Sequence, residues 1–170
     1  MSNVLMIIAP ERFRDEELFV TKAELEKAGH TITIASIKKG VCLGSRGGYA
    51  EATIALSDVQ PKIFNAVVVV GGGGAKLYFE NQQVAEIVKE MNQSQKIVAA
   101  ICLAPVILAN AGILNGRKAT VAGTEAKTIE NKGAIYTGPG VEVDGNIVTA
   151  NGPKSSFVFG QKINELLNLV

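Results

Sequence analysis

The chain has a single histidine, two cysteines and no tryptophan, and aromatic residues make up only 5% of it. Each scarcity excludes something. One histidine, His30, and two widely separated cysteines, Cys42 and Cys102, offer no ligand spacing for a metal, so no metal site is expected. Two thiols do not make a disulfide framework, and a cytoplasmic protein with free thiols is the expectation. Charge of neither sign dominates: 17 basic and 16 acidic side chains leave a formal charge of +1. Without a dense Lys/Arg patch, neither a nucleic acid nor an anionic membrane surface is expected as a partner. The longest apolar runs, such as that from Ile63 to Val70, are too short to span a bilayer. The opening "MSNVLMIIAP" lacks a basic n-region and a small-residue cleavage site, and reads as a first strand rather than a signal peptide.

What remains is an ordinary globular composition, 47% apolar and 19% charged over 170 residues, which predicts one domain spanning 1–170. Strand and helix patterns alternate along it. "NVLMIIA" (3–9), "TITIAS" (31–36), "AVVVV" (66–70) and "KIVAAI" (96–101) read as buried strands. Residues 14–28 are predicted helical, with Leu18, Ala23, Leu25 and Ala28 facing inward and Gly29 as the stop. A second amphipathic helix is expected over 81–92, with Val84, Ile87, Val88 and Met91 on one face. Further helices are expected at Pro105 to Ala111, at 124–131 and from about Ser155 to Leu169, with short strands near 118–121 and 146–150. The glycine-rich "KKGVCLGSRGGYAEATI" reads as a β-hairpin leaving the main sheet. Repeated strand–helix–strand units imply a mostly parallel sheet with helices on both faces.

In such sheets function gathers at the carboxyl ends of strands. Cys102 lies at one of these ends, in "AAICLAPVILANAG" (99–112), where a strand runs directly into a helix. A nucleophile on so sharp a turn needs small neighbours two residues either side, and Ala100 and Ala104 meet that need. Pro105 suits the first turn of the helix. Unpaired N–H groups there would lower the thiol pKa. A buried structural cysteine fits the same pattern, because free cysteine is among the most buried residue types.

The segment "VAAICLAPVILANAGILNGRKATV" resembles the nucleophile segment of the ThiJ/PfpI superfamily, in the branch of the parkinsonism-associated protein deglycase. The resemblance extends to "VLMIIAPERFRDEELFVTKAELEKAGHTITIAS", to "FNAVVVVGGGG" and to "GNIVTANGPKSSFVFG", in that order, and so covers nearly all of the chain. It implies a flavodoxin-like three-layer sandwich, related to class I glutamine amidotransferases, and a homodimer. It also places the nucleophile at Cys102 and its carboxyl partner at Glu17, with Glu16 the neighbouring alternative. The family's oxyanion donors, both backbone N–H groups, fall on Gly73 and Leu103. Gly72, in the same stretch, and Arg46, in "GSRGG" (44–48), are possible substrate-binding residues; Arg46 matches a loop arginine that the family's partner subunit brings near the cysteine pocket, where it could bind a substrate's carboxylate or phosphate.

The chain departs from the family at its histidines. Leu103 follows the cysteine where peptidase-like members carry histidine, and the deglycase branch's later histidine falls near Ala122. Peptide hydrolysis needs a proton delivered to an amine leaving group, so peptidase activity is the least favoured reading. Addition of the thiolate to a reactive aldehyde asks less, since one carboxyl could carry the proton. The expected function is therefore a cofactor-free, glyoxalase- or deglycase-like reaction on a small aldehyde. The alternative is a redox sensor or chaperone in which an oxidant converts Cys102 to a sulfinate.

Other motifs carry less. "GGGGAK" (71–76) lacks the Gly-Lys-Ser/Thr of a phosphate loop. His30 reads as a surface or edge residue and Cys42 as an exposed or interface thiol. Tyr78 and Phe79 should cover the pocket or pack in the core. Asn151, Gly152 and Pro153 should form the pocket's far wall, with Ser155 or Ser156 capping the last helix.

Overall fold

The computed structural model describes residues 1–169. Its elements, in chain order, are β1 (Asn3–Ile7), β2 (Glu11–Phe13), α1 (Asp15–Lys27), β3 (Thr31–Ser36), β4 (Gly40–Gly44), β5 (Tyr49–Ala52), β6 (Ile54–Ala55) and β7 (Ala66–Val69). There follow α2 (Gln82–Gln93), β8 (Ile97–Ile101), α3 (Pro105–Asn110), β9 (Lys118–Ala119), α4 (Ala126–Asn131), β10 (Ile135–Tyr136), β11 (Val141–Asp144), β12 (Ile147–Ala150) and α5 (Ser156–Leu167). The central sheet runs β11-β12-β8-β7-β1-β3-β6 and is parallel except for the β11–β12 pair. This is the flavodoxin-like arrangement expected, with helices on both faces.

The period of two along each strand sorts the core. Val4, Met6 and Ile8 pack with Leu18, Leu25, Phe159 and Ile163 on the α1/α5 side. Leu5 and Ile7 pack with Val84, Val88, Met91 and Val106 on the α2/α3 side. The predicted inward face of α2 is observed, and Asn81 Oδ1 caps the helix by accepting from the Val84 N–H at 3.0 Å. Among the described residues, no helix is long and apolar enough to cross a membrane.

Several expectations need correction. The buried face of α1 consists of Asp15, Glu17, Leu18, Thr21 and Leu25, whereas Ala23 and Ala28 are exposed. An alanine buries little, and the helix instead turns polar groups inward. Cys42 is buried, at 2% exposure, because the β4–β5 hairpin folds back through β2 onto Phe13 and Ala52. His30 is buried as well, its Nδ1 accepting from the Ser2 N–H at 3.1 Å. Neither serine caps α5: Ser155 Oγ bonds Asn151 Oδ1 at 2.8 Å and Ser156 Oγ donates to the Pro153 carbonyl at 2.8 Å. Tyr78 packs in the core as expected, its hydroxyl donating to the Ile8 carbonyl at 2.9 Å, and Phe79 packs half-buried against the same core. Strand β11 was not legible: it is a half-buried edge strand with acidic residues at alternate positions.

Candidate active site

Cys102 occupies the turn between β8 and α3 with φ 66°, a left-handed conformation that a non-glycine residue holds only under constraint. The constraint is backbone pairing. Its N–H donates to the Ala150 carbonyl at 2.9 Å and its carbonyl accepts from the Ala122 N–H at 2.8 Å. The chain therefore reverses sharply at the sulfur, as a nucleophile elbow requires. Asn151, Gly152 and Pro153 follow directly on Ala150 and so border the elbow.

Glu17 reaches the same point from the first turn of α1. It is fully buried, and its Oε1 accepts from the Gly71 N–H at 2.9 Å. Its Oε2 has no hydrogen-bond partner of good geometry among the described residues. The carboxyl and the Cys102 thiol lie close enough that each shifts the other's titration. Gly71 separates them: a Cβ there would stand 2.6 Å from Cys102 Cβ and 2.6 Å from Glu17 Oε1. Only glycine lets the two groups meet. The signal of Gly71 in the sequence is the run of four consecutive glycines, which marks close backbone approach.

The next glycine is equally constrained. Gly72 has φ 95°, and a Cβ on it would lie 2.5 Å from the Arg14 nitrogen and 2.6 Å from the Arg12 carbonyl. Its N–H and that of Leu103 point at the Cys102 sulfur. Gly73, the donor expected from the sequence, opens the following 3-10 turn instead. The glycine run thus serves close packing and N–H presentation, and the phosphate-loop pattern stays unfilled.

Burial pushes Glu17 up to about 7, against the interaction with the Cys102 thiol, the Gly71 hydrogen bond and the nearby Arg14 charge. Burial pushes the Cys102 thiol up to about 11; the Glu17 negative charge adds to this, and the Gly72 and Leu103 N–H groups oppose it. This direction is opposite to that expected from the helix start alone, because desolvation outweighs two hydrogen bonds. Two negative charges are disfavoured side by side, so the pair retains one proton between its two steps. Glu16, the alternative partner, is turned away: Arg14 holds it through two hydrogen bonds of 2.9 and 3.0 Å, which hold its carboxyl down to about 2.

Within one chain the remaining candidates are not brought to the sulfur. Arg46 is exposed on the β4–β5 turn; its backbone N–H donates to Asp15 Oδ1 at 2.9 Å and its charge is felt at Glu16. His30 lies beyond α1, at the strand end opposite to that of Cys102, and Ala122 stands beside the elbow, its N–H on the Cys102 carbonyl. Among the described residues no group of three His, Cys, Asp or Glu side chains is arranged for a metal ion.

Comparison with known proteins agrees with this fold. The family model described as DJ-1/PfpI matches residues 2–166. A deglycase of Thermococcus kodakarensis is 32% identical over 163 residues, 96% of this chain and 98% of that protein. A glutathione-independent glyoxalase of Caenorhabditis elegans is 27% identical over 165 residues, 97% of this chain and 88% of the other. The ThiJ/PfpI domain protein of Brachyspira murdochii superposes with a TM-score of 0.97 at 34% identity, covering 99% of this chain and 97% of that one.

Proposed function

The chain belongs to the DJ-1/PfpI family, and on that footing we propose that it converts small reactive aldehydes in a glyoxalase- or deglycase-like reaction at Cys102 and Glu17. The observation that carries the proposal is a fully buried carboxyl set against the Cys102 thiol across Gly71, where burial pushes the carboxyl up to about 7 and the thiol up to about 11. A thiol this weakly acidic needs a base at the moment of attack, and a carboxylate near 7 is poised to be one at neutral pH.

The steps balance without a cofactor. Glu17 takes the Cys102 proton as the sulfur bonds to the aldehyde carbon, and the oxygen that gains the electron pair meets the Gly72 and Leu103 N–H groups. Reprotonation of that oxygen gives a hemithioacetal. With a 2-oxoaldehyde, Glu17 then removes the C1 proton and returns it to C2, which yields the thioester of a 2-hydroxy acid. Water hydrolyses the thioester, restoring the thiol. One carbon is oxidised and its neighbour reduced, so no external electron carrier enters.

The sensor reading is second, because oxidants attack the thiolate and burial disfavours that form here. Peptide cleavage is third for want of a proton donor to the leaving amine. We also infer a homodimer: Val41, Leu43 and Tyr49 on the hairpin and Phe19 on α1 are exposed apolar residues on adjoining elements, and an apolar patch of this kind suits a second copy. The function is tested by incubating the protein with methylglyoxal and following lactate. Catalytic formation that vanishes in Cys102→Ser is expected; turnover that survives this change would overturn the proposal.

A further inference from the structure

We propose that the aldehyde acted on at Cys102 carries an anionic group, a carboxylate or a phosphate, and that the Arg12 guanidinium receives it. The inference rests on the aldehyde reading of the site and adds the substrate's charge to it.

Arg12 has φ 58°. Left-handed backbone costs an arginine free energy that glycine would not incur, so an arginine held there invites a functional reason. The same residue interrupts the β2–β4 ladder, whose register shifts between Glu11 and Phe13. Irregularities of this kind re-aim a side chain beside a site. The aim is toward the oxyanion loop: Arg12 Nη1 lies 3.6 Å from where a Cβ on Gly73 would stand, one residue beyond the Gly72 N–H.

The guanidinium is also uncommitted. Arg14 is neutralised by its fork on Glu16, but among the described residues no carboxylate forms an ion pair with Arg12. Glu11, its neighbour in sequence, shares with it a surface cleft of about 250 Å³ that also includes Pro10, Gly74 and Leu77. An exposed, unpaired fork of N–H donors beside Gly73 offers a carboxylate or phosphate two parallel N–H contacts and a positive charge at the edge of the oxyanion loop. The aldehyde oxygen would meet the Gly72 and Leu103 N–H groups while the anionic group meets Arg12.

The test uses two alkylating agents that undergo the same displacement of iodide and differ in charge, iodoacetate and iodoacetamide. Their rates at Cys102, read on the Cys102 peptide by mass spectrometry, give an anion preference independent of turnover. Arg12→Gln and Arg12→Gly should each lower the iodoacetate-to-iodoacetamide ratio by about two- to fivefold, the size of a partly screened ion pair. Arg12→Gly should also raise the melting temperature by a few degrees, since glycine accepts the left-handed backbone. An unchanged ratio in both variants would overturn the assignment. Protection of Cys102 from iodoacetamide by millimolar inorganic phosphate, lost in Arg12→Gln, would identify a phosphate group; protection by oxamate would identify a carboxylate. Protection by neither would also overturn it. Failure to convert either methylglyoxal or a 2-oxoaldehyde bearing a carboxylate or phosphate, with the anion preference intact, would refute the aldehyde chemistry alone.

Discussion

Glu17 and Cys102 meet across a gap that only a glycine can keep open: Gly71 donates its N–H to the carboxyl at 2.9 Å and has no room for a Cβ between the two. The carboxyl is 0% exposed, so the same arrangement that makes it a base strains the fold.

That strain has a sign. Burial raises Glu17 from 4.5 to about 7, so between these values the folded chain binds more protons than the unfolded one. Stability is therefore largest below pH 4.5 for this group and falls as pH rises toward 7. Glu17→Gln should be more stable than wild type at pH 8 by about 3 kcal/mol, the equivalent of this shift, with the difference closing toward pH 4.5. Denaturant melts at both values measure it. A wild type more stable than the variant at pH 8 would contradict the buried charge.

The glycine itself makes the second prediction. In Gly71→Ala the new methyl meets the Ile101 carbonyl at 2.5 Å, a backbone atom that cannot step aside cheaply. A loss of about 2 kcal/mol or more in stability is expected, of the size of overpacking in a core. Cys102 alkylation should change with it, whereas Gly73→Ala, with only Arg12 Nη1 at 3.6 Å, should be mild. Thermal melts of the two variants side by side decide the matter.

The two thiols should separate in a labelling experiment. Cys102 is partly accessible and Cys42 is buried under the hairpin. Iodoacetamide on the native protein should label Cys102 and spare Cys42 until the chain is unfolded. Faster modification of Cys42 across pH 5–8 would show that the hairpin opens more readily than the elbow reacts.

Much of this was readable in the sequence because unmixed apolar runs such as Val4–Ala9 and Val67–Val70 admit one explanation, a strand buried on both faces. Cys102 was readable because an elbow needs Ala100 and Ala104 beside it. The misreadings share a cause: position in sequence does not reveal what folds over a residue. Cys42 and His30 look peripheral, yet a hairpin returning onto Phe13 covers one and the Ser2 amide ties down the other. The inward face of α1 departs from the apolar pattern because Asp15 and Thr21, polar residues, are buried there while Ala23 and Ala28 stay exposed. Arg12 and Arg14 gave no signal, since neither a left-handed φ nor a fork on Glu16 leaves a pattern in the amino-acid order.

A dimer is the fourth expectation. Tyr49, at 71% exposure, and Val41, at 64%, present apolar surface on the hairpin. Sedimentation should give twice the mass of one chain, and Val41→Lys with Tyr49→Lys should shift it toward one. A wild type that sediments as a monomer at every concentration would refute the pairing.

The central claim is that Cys102 and Glu17 act as one unit sharing a proton, and the pH dependence of lactate formation from methylglyoxal tests it most directly. Wild-type kcat/KM should rise through about pH 7 as Glu17 loses its proton and becomes the base. In Glu17→Gln that rise should disappear, and the rate at pH 7.5 should fall by about 10²-fold or more, the usual worth of a positioned base. A Glu17→Gln variant that keeps both the rise near pH 7 and the wild-type rate would contradict the account.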